Sequence, residues 1–281
     1  MKKQKSYAGA SPALFLVPTP IGNLDDMTPR AVETLKGVER IFAEDTRVTK
    51  VLLSHFNITT PMQSYHAFNE ETQVDKIIEL LNSGKSVALV SDAGLPGISD
   101  PGYYAARRAL DAGFAVIALP GPNAAVTALV ASGLPCERFY FYGFLSSRKT
   151  QKRKELTWLS FFEDTLVFYE APHRLTETVG LIYEILGDRE IVIARELSKV
   201  HEEYIRGKAG EILSELEGVK GEIVIIVKGA DQSPVQDLLN QKSIAEHYEH
   251  YLKLGLSPME AVKAVAKDRG VAKNEIYKHV R

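Results

Sequence analysis

Short runs of β-branched or aromatic residues alternate with helical stretches between residue 13 and about residue 132, and this alternation constrains the fold more than any other feature. Strands are predicted at residues 14–17, 40–43, 87–91 and 115–119. Two helix starts are marked, because Thr28 can cap a helix with Pro29 at its first position and Asn123 precedes an alanine-rich stretch. Strands that alternate with helices usually form a parallel sheet with crossover helices, so this half predicts one α/β domain.

A different pattern begins near residue 135, where Leu134 and Pro135 precede an aromatic segment at residues 139–142. Strands are predicted at residues 165–169, 190–194, 203–206 and 222–227, with helices at residues 173–186 and 209–216. The basic stretch at residues 146–154 predicts a mobile loop that enters a helix near Glu155. This region therefore predicts a second α/β domain, built on a mixed sheet.

A polar linker follows Gly229 and leads into three predicted short helices. Apolar residues at helical spacing, with a break at Gly270, resemble a helix-turn-helix, and a small helical cap on the body fits the pattern equally well. His247 and His250 are expected at the surface of this part. The predicted domains are residues 1–134, residues 135–229 and a helical extension at residues 234–281.

The composition limits the classes of function. The chain has 281 residues, of which 45% are hydrophobic and 25% charged, as in ordinary globular proteins. A net charge of −2 argues against a protein that coats nucleic acid without selectivity, since such binding needs many phosphate contacts. The early apolar run ends at Pro18, so we expect no membrane contact and a cytoplasmic location. The single cysteine, Cys136, excludes an internal disulfide and is expected to be buried.

Four loops that follow predicted strands have unusual sequences. They are Pro18-Thr-Pro-Ile-Gly-Asn23, Glu44-Asp-Thr-Arg47, the segment from Asp92 to Gly102, and Pro120-Gly-Pro-Asn123. In an open α/β sheet, ligands bind beyond the carboxyl ends of the strands, where such loops meet. The third loop packs three glycines, two prolines and two aspartates into eleven residues, more than a plain strand-to-helix connection needs. It is therefore predicted to bind a ligand.

Common nucleotide and hydrolase motifs fail when each position is checked. No G-x-G-x-x-G follows a strand, and Gly84-Lys85-Ser86 lacks the leading glycine of a P-loop because position 79 is Glu. G-x-S-x-G fails at Pro101, and H-E-x-x-H fails at Ile205. The failure of these motifs argues against phosphoryl transfer, serine hydrolysis and zinc catalysis.

Six motifs in order resemble the tetrapyrrole-methylase superfamily, whose members hold S-adenosylmethionine between two α/β domains. The motifs are Pro18-Thr-Pro-Ile-Gly-Asn-Leu24, Ala43-Glu-Asp-Thr-Arg47, Ser91-Asp-Ala-Gly94, Ile98-Ser-Asp-Pro-Gly102, Pro120-Gly-Pro-Asn123 and Tyr169-Glu-Ala-Pro-His-Arg174. More narrowly, they look like the subgroup that methylates the 2′-hydroxyl of a decoding-centre cytidine in 16S rRNA. The resemblance covers residues 13–229 and implies a two-domain α/β fold, a homodimer and the small ribosomal subunit as substrate.

The resemblance also assigns residues to the cofactor. The implied positions are Pro20, Gly22, Asp92, Ala93, Gly94, Ile98, Asn123, Ala124, Tyr169, Glu170, Ala171, Leu197, Glu222, Ile223 and Val224. No metal is required, because methyl transfer from a sulfonium to a hydroxyl is an in-line displacement that needs alignment and the removal of one proton.

Candidates for handling the acceptor hydroxyl lie in and after the second loop and in the third. They are Glu44, Asp45, Arg47, His66, Asn69, Glu70 and Asp100. A ribose hydroxyl is a weak acid, so a carboxylate or imidazole in a dry site must take its proton, and we favour Glu70 or Asp100. The alternative is that Glu44, Asp45 and Arg47 form a structural ion pair beside a helix cap at Thr46.

RNA contacts are expected from the basic stretch, from one face of the second domain and from the helical extension. The basic residues are Arg148, Lys149, Lys152, Arg153 and Lys154. The face holds Arg174, Arg195, Glu196, Lys199, His201 and Glu202, and a buried salt network explains it nearly as well. The first hypothesis is thus an rRNA ribose methyltransferase acting on a flipped-out nucleotide. The others are a methyltransferase for a tetrapyrrole or protein side chain, and a non-catalytic RNA-binding protein.

Overall fold

The computed structural model describes residue 4, residues 12–231 and residues 234–280, except the side chains of residues 234–237. Parts of the predicted first domain, linker and extension, namely residues 1–3, 5–11, 232–233 and 281, lie outside the described residues. The strands are β1 (Ala13–Leu16), β2 (Arg40–Ala43), β3 (Met62–Ser64), β4 (Val87–Val90), β5 (Ala115–Ala118), β6 (Phe139–Phe144), β7 (Thr165–Glu170), β8 (Glu190–Arg195), β9 (Glu203–Lys208) and β10 (Ile223–Val227). The helices are α1 (Pro29–Gly37), α2 (Thr46–His55), α3 (Glu70–Asn82), α4 (Tyr103–Asp111), α5 (Ala124–Ser132), α6 (Lys149–Leu159), α7 (Leu175–Leu186), α8 (Ala209–Leu213), α9 (Pro234–Gln241), α10 (Ile244–Lys253), α11 (Pro258–Asp268) and α12 (Lys273–Tyr277).

The first sheet is parallel, with strand order β3-β2-β4-β1-β5, as the alternating pattern predicts. Its central strand β4 is buried along its whole length, because apolar clusters cover both faces of the sheet. Both predicted caps are confirmed: Thr28 accepts the N–H of Ala31 and Asn123 accepts the N–H of Val126. The sequence pattern misses β3, which is short, half-buried and at the sheet edge, so it carries little apolar signal.

The second sheet is mixed, as predicted, with strand order β6-β7-β10-β8-β9. Strands β6 and β7 run parallel, and the other neighbours pair antiparallel. The aromatic segment forms β6, whose register shifts between Phe141 and Gly143, where the glycine adopts φ +80°. The predicted α/β fold class, with a parallel sheet, a mixed sheet and a helical extension, is confirmed.

From Lys149 onwards the basic stretch is a helix and not the predicted mobile loop. Helix α6 begins directly after Arg148, because Leu156 and Leu159 pack into the core of the second half. The side chain of Lys152 turns the same way and is only 1% exposed. Lys152 is therefore a buried residue of the second half.

Helix α5 joins the two halves. Its residues Ala125, Ala128 and Leu129 share an apolar cluster with strands β7, β8 and β10 of the second sheet. At its end, the Arg206 guanidinium of β9 donates to the carbonyl oxygens of Ala131 and Ser132. These contacts hold the loops of the first sheet against the strand ends of the second.

The extension contains the four helices α9–α12, one more than predicted, with a small apolar core around Val262, Val265 and Ile276. The expectation of a surface position is wrong for His247, which is buried and lies 3.1 Å from Oδ2 of Asp268 through its Nε2. Cys136 is exposed, so its expected burial is wrong as well. Within residues 12–231 and 234–280, no helix is long and apolar enough to cross a membrane.

Candidate active site

A cavity of about 370 Å³ lies where the loops of the first sheet meet the second sheet. The first half contributes the loops after β1, β4 and β5, and the second half contributes the ends of β6 and β7, the loop after β8 and the start of β10. The lining residues are Ile21, Ala93, Gly94, Leu95, Ile98, Ser99, Asp100, Asn123, Ala124, Phe144, Tyr169, Glu170, Ala171, Pro172, Leu197, Gly221, Glu222, Ile223 and Val224. A mostly apolar cleft with a few convergent polar groups is the usual form of a small-molecule site.

The loops after β1 and β4 are tied to each other. Thr19 and Gly94 exchange two backbone hydrogen bonds of 2.9 and 3.0 Å, and the Thr19 hydroxyl donates to the carbonyl oxygen of Ser91. Gly94 adopts φ +79°, a conformation that favours glycine. The pairing holds Ile21 and Ala93 at the cavity wall, so this part of the site is preorganised.

Asp92 joins the loops after β2 and β4. Its Oδ1 accepts the N–H of Asp45 at 2.9 Å, while Asp45 caps α2 by accepting the N–H of Arg47. The predicted cap at Thr46 is therefore wrong by one residue. The Arg47 guanidinium bonds to the Asp45 carboxylate and lowers the pKa of Asp45 to about 2. For Asp45 and Arg47, the structural ion pair foreseen as the alternative is present.

Three carboxylates, those of Glu44, Asp92 and Asp100, influence one another beside the cavity. Burial, followed by the charges of Glu44 and Asp92, raises the pKa of Asp100 to about 7. Burial and then Asp92 also raise the pKa of Glu44. Of the three, Asp100 lines the cavity. A carboxylate with a pKa near 7 can hold or accept a proton at physiological pH, which suits a general base.

The segment after β3 lies beside this cluster of three carboxylates. His66 is close enough for its charge to act on Glu44. Glu70 begins α3 and accepts a 2.6 Å hydrogen bond from the Tyr65 hydroxyl, and it does not line the cavity. Between the two favoured bases, the geometry therefore places Asp100 at the cavity and Glu70 behind it.

A buried network fixes the end of β7. The two oxygens of Glu170 accept the N–H of Ala171 at 2.8 Å and the hydroxyl of Thr178 at 2.5 Å. Arg174 forms an ion pair with Glu170 at 3.1 Å, and the Lys152 amine lies 3.9 Å from the same carboxylate. Lys152 is thus a structural cation behind the cavity wall. The prediction that it contacts RNA is wrong, because its amine is enclosed by protein.

Gly22 sets how closely the two halves approach. A Cβ atom at this position would lie 2.5 Å from Cγ of Lys199 and 2.8 Å from the carbonyl oxygen of Leu197. Lys199 itself pairs with Glu196 and Glu222 at 3.0 and 3.3 Å. Gly22 therefore serves close packing and does not line the cavity.

Comparison with known proteins agrees with a cavity that lies between two α/β halves. A sequence model described as Tetrapyrrole (Corrin/Porphyrin) Methylases matches residues 13–213. The chain belongs to the tetrapyrrole methylase family. As a member of this family of methylases, it is a methyltransferase.

Relatives of this tetrapyrrole methylase match it along nearly its whole length. A Bacillus subtilis (strain 168) protein named Ribosomal RNA small subunit methyltransferase I is 49% identical over 99% of this chain and 97% of the relative. A Synechocystis sp. protein of the same name is 40% identical over 94% of this chain and 95% of the relative. These identities place the chain in the same subgroup of the tetrapyrrole methylase family as these relatives.

Solved structures of tetrapyrrole methylases share the fold. Uroporphyrin-III-C-methyltransferase from Thermus thermophilus has a TM-score of 0.56 at 20% identity, over 77% of this chain and 94% of that one. The methyltransferase CobJ has a TM-score of 0.59 at 20% identity, over 78% of this chain and 95% of that one. At such identities the likeness shows the fold alone.

Most residues that the resemblance assigns to the cofactor of a tetrapyrrole methylase line the cavity. The exceptions are Pro20, Gly22 and Asp92. Sequence reasoning missed a further set, namely Ile21, Leu95, Ser99, Phe144, Pro172 and Gly221. Most of these adjoin assigned positions. Phe144 could have been found only by predicting that the aromatic segment forms a strand ending at the cavity.

The residues expected to contact RNA fall into two groups. Arg148 directly before α6 and Lys149 and Lys154 on α6 are exposed. Arg153 forms two hydrogen bonds to the carboxylate of Glu184 across to α7. The others are held by protein partners: Arg174 donates to the carbonyl oxygens of Leu145 and Ser146, and Arg195 pairs with Glu203. The salt-network alternative therefore describes Arg174, Arg195 and Lys199, whereas His201 and Glu202 are exposed.

Proposed function

We propose that this methyltransferase transfers a methyl group from S-adenosylmethionine to the 2′-hydroxyl of a decoding-centre cytidine in 16S rRNA. The observation that carries the proposal is a single cavity, bounded by both α/β halves, with one carboxylate of raised pKa in its lining. The names and identities of the curated relatives support an rRNA substrate. The six motifs support the narrower choice of a ribose hydroxyl.

The residues present fit S-adenosylmethionine. A cavity of about 370 Å³ lies within the range of roughly 300–1,000 Å³ that is usual for small-molecule and cofactor sites. Ile21, Ile98, Leu197 and Val224 offer apolar surface for the adenine and ribose. When bound, the cofactor supplies an electrophilic methyl group. The loops after β4 and β5 would hold it in line with the acceptor oxygen.

Asp100 is the residue we propose as general base. The 2′-hydroxyl must lose its proton as the new bond forms, and a carboxylate whose pKa is near 7 is matched to that task at physiological pH. Asp100 is half-buried, and its burial and the charges of Glu44 and Asp92 increase its affinity for the proton. Glu70 is held by Tyr65 and is better suited to bracing the loop after β3.

The RNA is proposed to reach the cavity along the start of α6. Phe144 lines the cavity, and the exposed Arg148 and Lys149 follow it by four and five residues along the chain. Phosphate contacts of this kind position an RNA without reading its sequence. RNA contact by the helical extension, an assembled small subunit as substrate, a cytoplasmic location and a homodimer remain predictions.

The test is methyl transfer to defined substrates. Purified protein and S-adenosylmethionine are incubated with small ribosomal subunits from cells that lack this protein, and ribose methyls are mapped by mass spectrometry. We expect one new 2′-O-methylcytidine in 16S rRNA with the wild-type protein and at least about 100-fold slower formation of it with D100N. Methyl transfer to uroporphyrinogen but not to the subunits would overturn the rRNA assignment. A methyl on a base would overturn the ribose assignment alone.

A further inference from the structure

Phe68 is a solvent-exposed aromatic side chain in the segment that follows β3. It is 99% exposed and lies on the turn between β3 and α3. An exposed aromatic residue is not unusual by itself. The rigidity of this turn and its location distinguish Phe68 from other exposed apolar residues.

The turn that carries Phe68 is braced on both sides. His66 donates its N–H to Oδ1 of Asn69 at 2.8 Å, and Asn69 returns its own N–H to the carbonyl oxygen of His66 at 2.9 Å. The Asn69 side-chain amide also donates to the hydroxyl of Ser64 at 3.2 Å. The turn is therefore preorganised, and its geometry keeps Phe68 pointing away from the core.

The turn also lies next to the cluster of carboxylates formed by Glu44, Asp92 and Asp100. The Phe68 ring packs edge-to-face near His66, with 6.1 Å between the ring centroids. Strands β2 and β3 pair in parallel with Ala43 beside Ser64, so Glu44 and His66 follow at the same edge of the sheet, and the charge of Glu44 acts on Asp100 in the cavity. The Arg47 side chain is 89% exposed and acts on Asp92 in the same group. An exposed aromatic ring and an exposed guanidinium thus flank the groups proposed to handle the acceptor.

We propose that Phe68 stacks on the base of the target nucleotide when that nucleotide is drawn out of the RNA towards the cavity. This inference rests on the proposed function and adds a substrate-binding residue to it. A base that leaves the helical stack loses its stacking contacts with the neighbouring bases, and an aromatic side chain of the protein can replace one of these contacts. Because hydrogen bonds already order the backbone of the turn, only the two side-chain torsions of Phe68 are fixed on contact.

The experiment compares four variants on small subunits that lack the methyl. F68A and F68L should lower kcat/KM for the subunit by about 5- to 150-fold, the range expected for loss of one stacking contact. F68W and F68Y keep an aromatic face and should stay within about threefold of wild type. Since Phe68 buries almost nothing, none of the variants should change the thermal midpoint or the affinity for S-adenosylmethionine.

Tyr183→Ala is the matched control, because Tyr183 is also exposed and aromatic but packs on the outer side of the second half beside Gly210. Its kcat/KM should equal that of wild type. Equal kinetics of F68A and wild type would overturn the stacking role, as would a loss of activity in F68W as large as in F68A. A change in oligomeric state of F68A would assign the ring to a protein interface instead. Failure of the wild-type protein to methylate the subunits would count against the proposed function and not against Phe68.

Discussion

The amine of Lys152 donates a 2.9 Å hydrogen bond to the hydroxyl of Thr178, and that hydroxyl donates in turn to Glu170 at the cavity wall. A lysine from the most basic stretch of the chain therefore supports the cofactor side of the site from behind. Glu177 lies on the other side of the amine at 3.2 Å, so the charge is compensated within the protein.

Replacing Lys152 by Met should destabilise the fold and weaken the cofactor site. Removing one partner of a buried ion pair costs about 3–5 kcal/mol, and we expect the lower end because Arg174 still pairs with Glu170. Chemical denaturation measures this change, and calorimetry measures the affinity for S-adenosylmethionine. K149M, at an exposed position on the same helix, should alter stability by less than about 0.5 kcal/mol. Equal stability of the two variants would contradict the buried role.

The pH dependence of the reaction should report the ionisation of Asp100. Only the ionised carboxylate can accept a proton, so kcat/KM should rise with pH and level off above about pH 7, where the pKa of Asp100 lies. D100N should lower kcat/KM by about 100- to 10,000-fold and abolish the inflection. D45N is the control, since the pKa of Asp45 is about 2 and its carboxylate is ionised throughout the range. An inflection that persists in D100N would assign it to another group.

Ionisation of the Asp100 carboxyl should lower the stability of the protein as the pH rises, whereas it raises the activity. The pKa of Asp100 is raised above its ordinary value of 3.8, so the folded state favours the protonated form. Its contribution is fully present below about pH 4 and is lost as the pH rises through about 7. The free energy of unfolding of D100N relative to wild type should therefore increase between these two values. A constant difference across that window would contradict the raised pKa.

Gly22→Ala should separate the two halves, because the new Cβ would collide with the side chain of Lys199 and the backbone of Leu197. We expect a loss of about 1–3 kcal/mol in stability, typical of an overpacked position, together with weaker binding of S-adenosylmethionine. Gly37→Ala, where a Cβ meets nothing within 4 Å, is the matched control and should be neutral or slightly stabilising. If both variants bind the cofactor equally well, the close approach at Gly22 does not shape the cavity.

The exposed basic residues of α6 should govern the salt dependence of RNA binding. Changing Arg148, Lys149 and Lys154 together to Ala should make the slope of log K against log salt less negative by roughly 2–3, about 0.7–0.9 per lost phosphate contact. Affinity for S-adenosylmethionine should not change. Filter binding with 16S rRNA fragments at several salt concentrations measures the slope, and an unchanged slope would move the RNA path elsewhere.

Most strands and helix starts were predictable because they depend on local signals. Buried parallel strands are continuous apolar runs, and Thr28 and Asn123 mark helix starts through bonds to their own neighbours. The glycine- and proline-rich loops likewise identified most of the cavity lining, since such loops follow strands whose carboxyl ends meet. These features need little knowledge of the rest of the chain.

Other properties depend on residues that are distant in sequence, and only the folded chain decides them. Lys152 is a core residue because Glu170 and Thr178 meet it, and Asp100 has a raised pKa because burial and Glu44 act on it. Burial and charge interactions depend on distances in three dimensions, which a sequence pattern does not contain. The amino-acid sequence thus determined the family and the two α/β halves, and tertiary packing decided which charges serve the fold and which face the substrate.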